Sequence, residues 1–244
     1  MGVMKTRAGW MQVALVGLSM WAAFGAGAAE RYVERAGTID GTGRFFQDRE
    51  IAQVMGWQAA PWLEREEREQ EERTSLLLGE LGLEPGMVVA DVGAGSGYLS
   101  RRMAPLVSPG GRVIATDIQP QMLEMMRKLA ADPRYANLQP LESTAQDTRL
   151  PEGTVDLAIM VDVYHELAFP YETLASMVRA LKPGGRIAFV EYRGEDRNVP
   201  IKTLHKMTER QIRREAELHA LTWERTSRRL PIQHLVIFRK ATIH

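Results

Sequence analysis

Short apolar runs separated by stretches of helical length constrain this chain most. From residue 87 onward the runs fall at 87–92, 113–117, 155–161, 186–191 and 233–238. Between them, helices are predicted from about residue 98, over 120–131, over 170–181 and over 201–220. Continuous apolar runs of this length are strands covered on both faces, and connections containing a helix join parallel neighbours. The expected architecture is therefore α/β, a single domain with helices on both faces of a parallel sheet. Ligands of such sheets bind at the carboxyl ends of the strands, beside the point where strand order reverses. The residues that follow each strand thus carry the functional reading.

After the first strand comes Asp91-Val92-Gly93-Ala94-Gly95-Ser96-Gly97-Tyr98. Three alternating glycines let backbone approach a ligand closely, and the helix that follows offers free N–H groups. A dinucleotide could use such a turn, but its fingerprint is G-x-G-x-x-G, and here Tyr98 stands at the third position. Asp91 would repel a pyrophosphate and attract an ammonium or sulfonium; a capping acid is the alternative role. Asp117, ending the second strand, is placed to accept hydrogen bonds from both hydroxyls of a ribose.

With these features the chain resembles the class I S-adenosylmethionine (SAM)-dependent methyltransferases, of the small-molecule type similar to the quinone-biosynthesis C-methyltransferases. The resemblance rests on Leu83-Glu84-Pro85-Gly86, the 91–97 loop, Asp117-Ile118 and Leu181-Lys182-Pro183-Gly184-Gly185, and covers roughly residues 74–192. It implies a Rossmann-like methyltransferase fold, a seven-stranded, mainly parallel sheet whose last strand is antiparallel, over a domain of residues 83–244. It implies SAM as methyl donor and no metal. Gly93, Gly95 and Gly97 are expected against the methionine moiety and Asp91 near its amino group. Asp117 is expected on the ribose and Ile118 on the adenine face. Where the family often carries an acid for the adenine amino group, this chain has Thr144. Adenine recognition then falls to Thr144 and the Ala145 N–H, with Asp147 as a substitute acid.

A sulfonium is already a good leaving group, so transfer asks for positioning and, for some acceptors, a base. The candidates are in Asp162-Val163-Tyr164-His165-Glu166, after the 155–161 strand. Asp162 is assigned to the cofactor. His165 is assigned to taking a proton from an O–H or N–H nucleophile near neutral pH, with a loop-orienting histidine as its alternative. Tyr164 is assigned to catalysis or to packing on the methionine part, and Glu166 to starting a helix. His205 and His219, 14 residues apart and surrounded by Lys and Arg, are not expected to hold a metal.

The N-terminal third reads differently. Lys5 and Arg7 precede a charge-free run from Ala8 to Ala29 that ends in Ala26-Gly27-Ala28. A basic start, an apolar stretch and a small-residue exit make residues 1–29 a signal peptide, and a periplasmic or other extracytoplasmic protein is expected. An uncleaved membrane anchor over residues 8–29 is the alternative. SAM is made in the cytoplasm, so export leaves cofactor supply open. Residues 30–82 are expected to form a helical extension that begins in a loose, loop-rich stretch. From Pro61 a charged helix is predicted to run to Gly82, with Glu64/Arg68 and Glu69/Arg73 pairs on a solvated face.

Composition limits the partners. Basic and acidic residues number 31 each, so no global field favours nucleic acid. The absence of cysteine excludes thiolate chemistry and thiolate metal sites. The basic run 210–214 is read as a solvated face that could meet lipid headgroups or an acidic substrate. The expected partner is a small-molecule acceptor, with membrane contact only through the leader or that face. Two alternatives to a methyltransferase stand: an exported non-catalytic binding protein on the same scaffold, and a nucleotide-dependent oxidoreductase.

Overall fold

The structure is a computed structural model that describes residue 1 and residues 31–241. Of the expected signal peptide or anchor, residues 2–29 lie outside the described residues. Among those described, no helix is long and apolar enough to cross a membrane.

Residues expected to open a helical extension form an antiparallel three-stranded sheet instead: β1 (Tyr32–Glu34), β2 (Gly41–Phe46) and β3 (Arg49–Ala52). Phe46 pairs with Arg49 across Gln47-Asp48, both of which have positive φ, at 48° and 66°. Two such residues give the turn whose twist matches a hairpin, but here it is built without the glycine that usually marks it. Phe46, Ile51 and Ala52 are fully buried, so this sheet is packed rather than loose.

The predicted helix over 61–82 is three short ones: α1 (Ala60–Leu63), α2 (Arg68–Glu72) and α3 (Thr74–Glu80). Arg73, at φ 53°, breaks the run. The two expected i,i+4 pairs do not form. Glu64 accepts from Arg101 and from Ser96 Oγ, while Glu69 caps the start of α3 through Thr74 Oγ1 and the Ser75 N–H. Tertiary partners outbid the weak surface pairs, which contribute only about 0.2–0.5 kcal/mol each.

The remaining elements are β4 (Val88–Val92), α4 (Ser100–Met103), β5 (Arg112–Asp117), α5 (Pro120–Ala130), β6 (Leu138–Glu142), β7 (Val155–Val161), α6 (Pro170–Ala180), β8 (Leu181–Tyr192), α7 (Glu209–Ala216), β9 (Leu221–Ser227) and β10 (Gln233–Lys240). They build a seven-stranded sheet in the order β6-β5-β4-β7-β8-β10-β9. Pairs from β6 through β8 are parallel, and β10 runs antiparallel to both its neighbours. This is the Rossmann-like arrangement expected, with one strand reversed. The helix predicted over 201–220 is only α7; a single 3-10 turn, Thr203–His205, lies before it.

Alternation along each strand divides the core into two layers. Val88, Ala90, Val92, Ile187, Phe189, Val236 and Phe238 pack with Leu174 and Met177 of α6 and Ile212 of α7. Val89, Ala188, Val190, Leu235 and Ile237 face Leu77 of α3, Met103 of α4, and Leu123 and Met126 of α5. Fully burying such a side chain stabilises by about 1.5–3 kcal/mol. Strand order reverses between β4 and β7, and the site forms there.

Candidate functional site

A cavity of about 670 Å³ lies at the carboxyl ends of β4, β5 and β7. Its roof is the N-terminal segment: Gln53, Val54 and Met55 after β3, and Trp62, Leu63, Arg65 and Arg68 around α1 and α2. Of the charged stretch expected to be a solvated face, Arg65, Arg68 and Glu72 are turned inward, while Glu66, Glu67, Glu69, Gln70 and Glu71 stay exposed. Arg68 Nε donates to Glu72 Oε2 at 2.9 Å, and both side chains are buried. Arg65 and the Tyr192 hydroxyl donate to the other oxygen of Glu72. No local spacing announced the roof; only the i,i+4 relation of Arg68 and Glu72 was visible in the sequence.

The loop after β4 is shaped by its glycines. Gly93 and Gly95 have φ of 69° and 57°, and a Cβ on either would stand 2.6 Å from Val163 or Leu63. Both line the cavity. Gly97 does not: its open side faces Leu129 and Met126, so it lets the loop seat against α5 instead of touching a ligand. Asp117 holds this loop, accepting from the Gly95 N–H at 3.0 Å and the Gln119 N–H at 2.8 Å. Burial raises the Asp117 carboxyl pKa, against the lowering effect of these N–H donors. Ile118 lines the cavity and is exposed, as a residue awaiting a flat ring would be.

Acids gather where a cation would sit. Asp91 is buried, accepts from Ser100 Oγ at 2.5 Å, and has its pKa pushed up to about 6 by burial, opposed by Ser100 and Arg68. Asp162 lines the cavity with φ at 54°, a conformation that non-glycine residues adopt rarely. Its Oδ2 accepts from Gln233 Nε2, whereas its buried Oδ1 has no hydrogen-bond partner among the described residues. Burial, then the charges of Glu72 and Glu191, raise its pKa well above the usual range. Asp91 and Asp162 both line the cavity and Glu72 stands close to Asp162, so an ammonium or sulfonium there would recover part of the cost of burying these carboxyls.

The opposite wall of the cavity departs from expectation. Thr144 and Ala145 line it, but Thr144 Oγ1 is occupied by the N–H groups of Gln146 and Asp147. Asp147 does not line the cavity and pairs with Arg179 at 3.0 Å on the surface, so it does not replace the missing acid.

His165 lies in a single 3-10 turn, Tyr164–Glu166, that follows β7. Its Nδ1 is 2.6 Å from Glu191 Oε2 and its Nε2 is 3.1 Å from His205 Nδ1. Glu166 Oε1 lies 3.2 Å from the same His205 nitrogen. Burial lowers the His165 pKa, but Glu191 and Glu166 outweigh it and push it up to about 10. The near-neutral titration expected of His165 is thus replaced by a ring held charged between two carboxylates. Glu166, assigned to starting a helix, is part of the site, with its carboxyl pulled down to about 2 by the two histidines despite burial. Tyr164 does not line the cavity: it is fully buried, packed edge-to-face on Phe189 at 4.9 Å, with the Arg49 guanidinium 5.6 Å from its ring. It is a core residue.

His205 and His219 do not meet as a pair. His219 stacks on Tyr171 at 4.5 Å, and burial with nearby Arg31 lowers its pKa to about 4. In the basic run, Arg213 lies near Glu209 and Glu217, and Arg214 pairs with Asp48.

Residues 90–189 match the family model of a methyltransferase domain. Among curated proteins the chain is similar to the ubiquinone/menaquinone biosynthesis C-methyltransferase UbiE of Ectopseudomonas mendocina, 33% identical over 112 residues, 46% of this chain and 44% of the relative. It is also similar to the demethylmenaquinone methyltransferase of Symbiobacterium thermophilum, 37% identical over 108 residues, 44% of this chain and 43% of the relative. The chain thus spans less than half the length of the curated relatives it matches. Among solved structures, a SAM dependent methyltransferase from Aquifex aeolicus superposes with a TM-score of 0.72 at 24% identity, covering 77% of this chain and 100% of that one. That likeness shows the fold, a Rossmann-like methyltransferase fold.

Proposed function

We propose that this chain is a SAM-dependent methyltransferase acting on a small-molecule acceptor. The observation that carries the reading is one cavity lined together by the 91–95 loop, Asp117 and Asp162. Asp117 would hold the ribose, Ile118 the adenine face, and Asp91 with Asp162 the ammonium of the methionine part. Bound there, SAM supplies an electrophilic methyl on a good leaving group. The chain's own contribution is to bind and orient the two reactants and keep water out under the 53–72 roof.

His165 is assigned the acceptor side. Glu191 fixes its Nδ1, so Nε2 is the nitrogen turned toward His205, Glu166 and the cavity. A ring flanked in this way orients an acceptor's oxygen or nitrogen and stabilises negative charge that develops on it. The quinone-type chemistry in the names of the curated relatives makes small aromatic hydroxyl compounds the first acceptors to try. The test is transfer of labelled methyl from SAM to a panel of quinols and phenols, with the demethylated cofactor as co-product. Transfer to one of them supports the reading; SAM binding without transfer to any small molecule opposes it.

The second reading, a non-catalytic binding protein, is favoured by the Thr144 loop, which offers the adenine amino group no acid. Export, or anchoring by residues 8–29, is supported by the composition of residues 1–29. N-terminal sequencing of the mature protein should find its start near Ala29 or Glu30; an intact leader in the membrane fraction would establish the anchor.

A further inference from the structure

The acceptor end of the cavity holds a group of side chains that transfer from SAM does not itself require. His165 Nε2, His205 Nδ1 and Glu166 Oε1 form a triangle with sides of 3.1, 3.2 and 3.6 Å. Ligand atoms about 2.1 Å from a shared ion lie about 3.0 Å apart in an octahedral site and about 3.4 Å apart in a tetrahedral one. Two of the observed sides fall between those spacings, and the third, 3.6 Å, is about 0.2 Å longer than the tetrahedral one.

Two of the three ligand residues, His165 and Glu166, are also fixed from behind. Glu191 Oε2 engages His165 Nδ1 at 2.6 Å, in the carboxylate–histidine arrangement that orients metal-bound imidazoles. The Met55 N–H donates to Glu166 Oε2 at 3.0 Å, which leaves Oε1 free to face the histidines. The groups come from three separate segments: the turn after β7, the 203–205 turn, and β8, which supplies Glu191.

Protons alone serve this triangle poorly. His205 Nδ1 carries at most one hydrogen, so it cannot both accept from His165 Nε2 and donate to Glu166 Oε1. A cation that displaces the Nε2 proton of His165 engages all three atoms at once.

We propose that His165, His205 and Glu166 bind a divalent first-row transition ion of the Zn²⁺, Fe²⁺ or Co²⁺ class. Two imidazoles and one carboxylate suit these ions, whereas Mg²⁺ and Ca²⁺ prefer all-oxygen sites. Three protein ligands leave positions open toward the cavity, where the ion would act as a Lewis acid on an acceptor that presents an ionisable oxygen or sulfur. That use rests on the methyltransferase reading; the ion site itself does not.

The test is titration of chelator-treated, full-length protein with Co²⁺, read by its visible absorption bands, and with Zn²⁺, read by calorimetry. The expected result is one ion per chain. His205→Ala, at the most exposed of the three ligands, should abolish it, and Glu191→Gln should weaken it by about 10–100-fold, the usual effect of losing a ligand's orienting partner. His219→Gln, outside the cluster, should leave it unchanged. Absence of stoichiometric binding, or binding that survives His205→Ala and Glu166→Gln, would overturn the proposal. Parallel titration with SAM separates the two ideas: SAM bound without the metal sinks only the ion site, while failure to bind SAM sinks the methyltransferase reading.

Discussion

His165 Nδ1 lies 2.6 Å from Glu191 Oε2, and neither side chain reaches solvent. Because Glu191 sits on β8, the central sheet itself orients the ring. His165→Ala should lower turnover by about 10²–10³-fold and leave SAM affinity within about threefold. Glu191→Gln keeps the ring but loosens its aim, so kcat should fall with little change in KM for SAM. Steady-state kinetics of both variants on the first acceptor found checks this. Turnover of His165→Ala within about threefold of the wild type would remove His165 from the reaction.

Asp91 gives opposite effects on stability and binding. Its folded-state pKa of about 6 stands above the ordinary 3.8, so the folded state favours the proton. The resulting stability is fully present below pH 3.8 and is lost as pH rises through about 6. At pH 7.5 Asp91→Asn should therefore raise the unfolding free energy of the ligand-free protein, by at most about 3 kcal/mol. The same change removes a charge facing the ammonium, so SAM binding should weaken. Denaturant melts and SAM titrations at pH 5.5 and 7.5 check both signs.

Arg68 and Glu72 pair one turn apart on α2 within the roof, and Glu72 ties it to β8 through the Tyr192 hydroxyl. Arg68→Met leaves Glu72, buried near Asp162, with Arg65 as its remaining cation and should cost about 1–3 kcal/mol of stability. Combining it with Glu72→Gln should recover part of that loss, since less buried charge is then left to compensate. Urea melts of the two single variants and the double variant measure the coupling; additive losses would contradict it.

The sequence disclosed those parts whose signal is local. The central strands β4, β5, β7 and β8 read clearly because both faces are covered and the runs are continuously apolar. The glycine loop read clearly because backbone at positive φ demands glycine. The edge strands β6 and β9 did not, since an edge tolerates polar residues and even Pro140 within the strand. The β2–β3 hairpin was hidden by a turn of Gln47 and Asp48. Glu191 and His205 were beyond sequence reading for a different reason. They reach the site from separate elements, and no spacing encodes a meeting of His165 with residues 26 and 40 positions away. Tyr164 misled because it adjoins His165 in sequence yet points into the core.

Asp117 carries two tasks: it holds the Gly95 and Gln119 N–H groups and, on the reading above, the ribose. Asp117→Ala should weaken SAM binding by about 1.5–3 kcal/mol, the range for hydrogen bonds to a charged group. Asp117→Asn, which keeps one acceptor oxygen, should lose less. Calorimetric dissociation constants for both variants check the order; an unchanged constant with the fold intact would remove Asp117 from the ribose.

The central claim is that the cavity between the 91–97 loop and the 53–72 roof is a SAM site. Calorimetry of the purified protein with SAM, its demethylated product and NAD tests it most directly. Saturable binding of the first two, weakened by Asp117→Ala, with no heat from NAD, is the predicted result. Binding of NAD in their place, or no binding of either methionine-derived ligand by the folded protein, would contradict it.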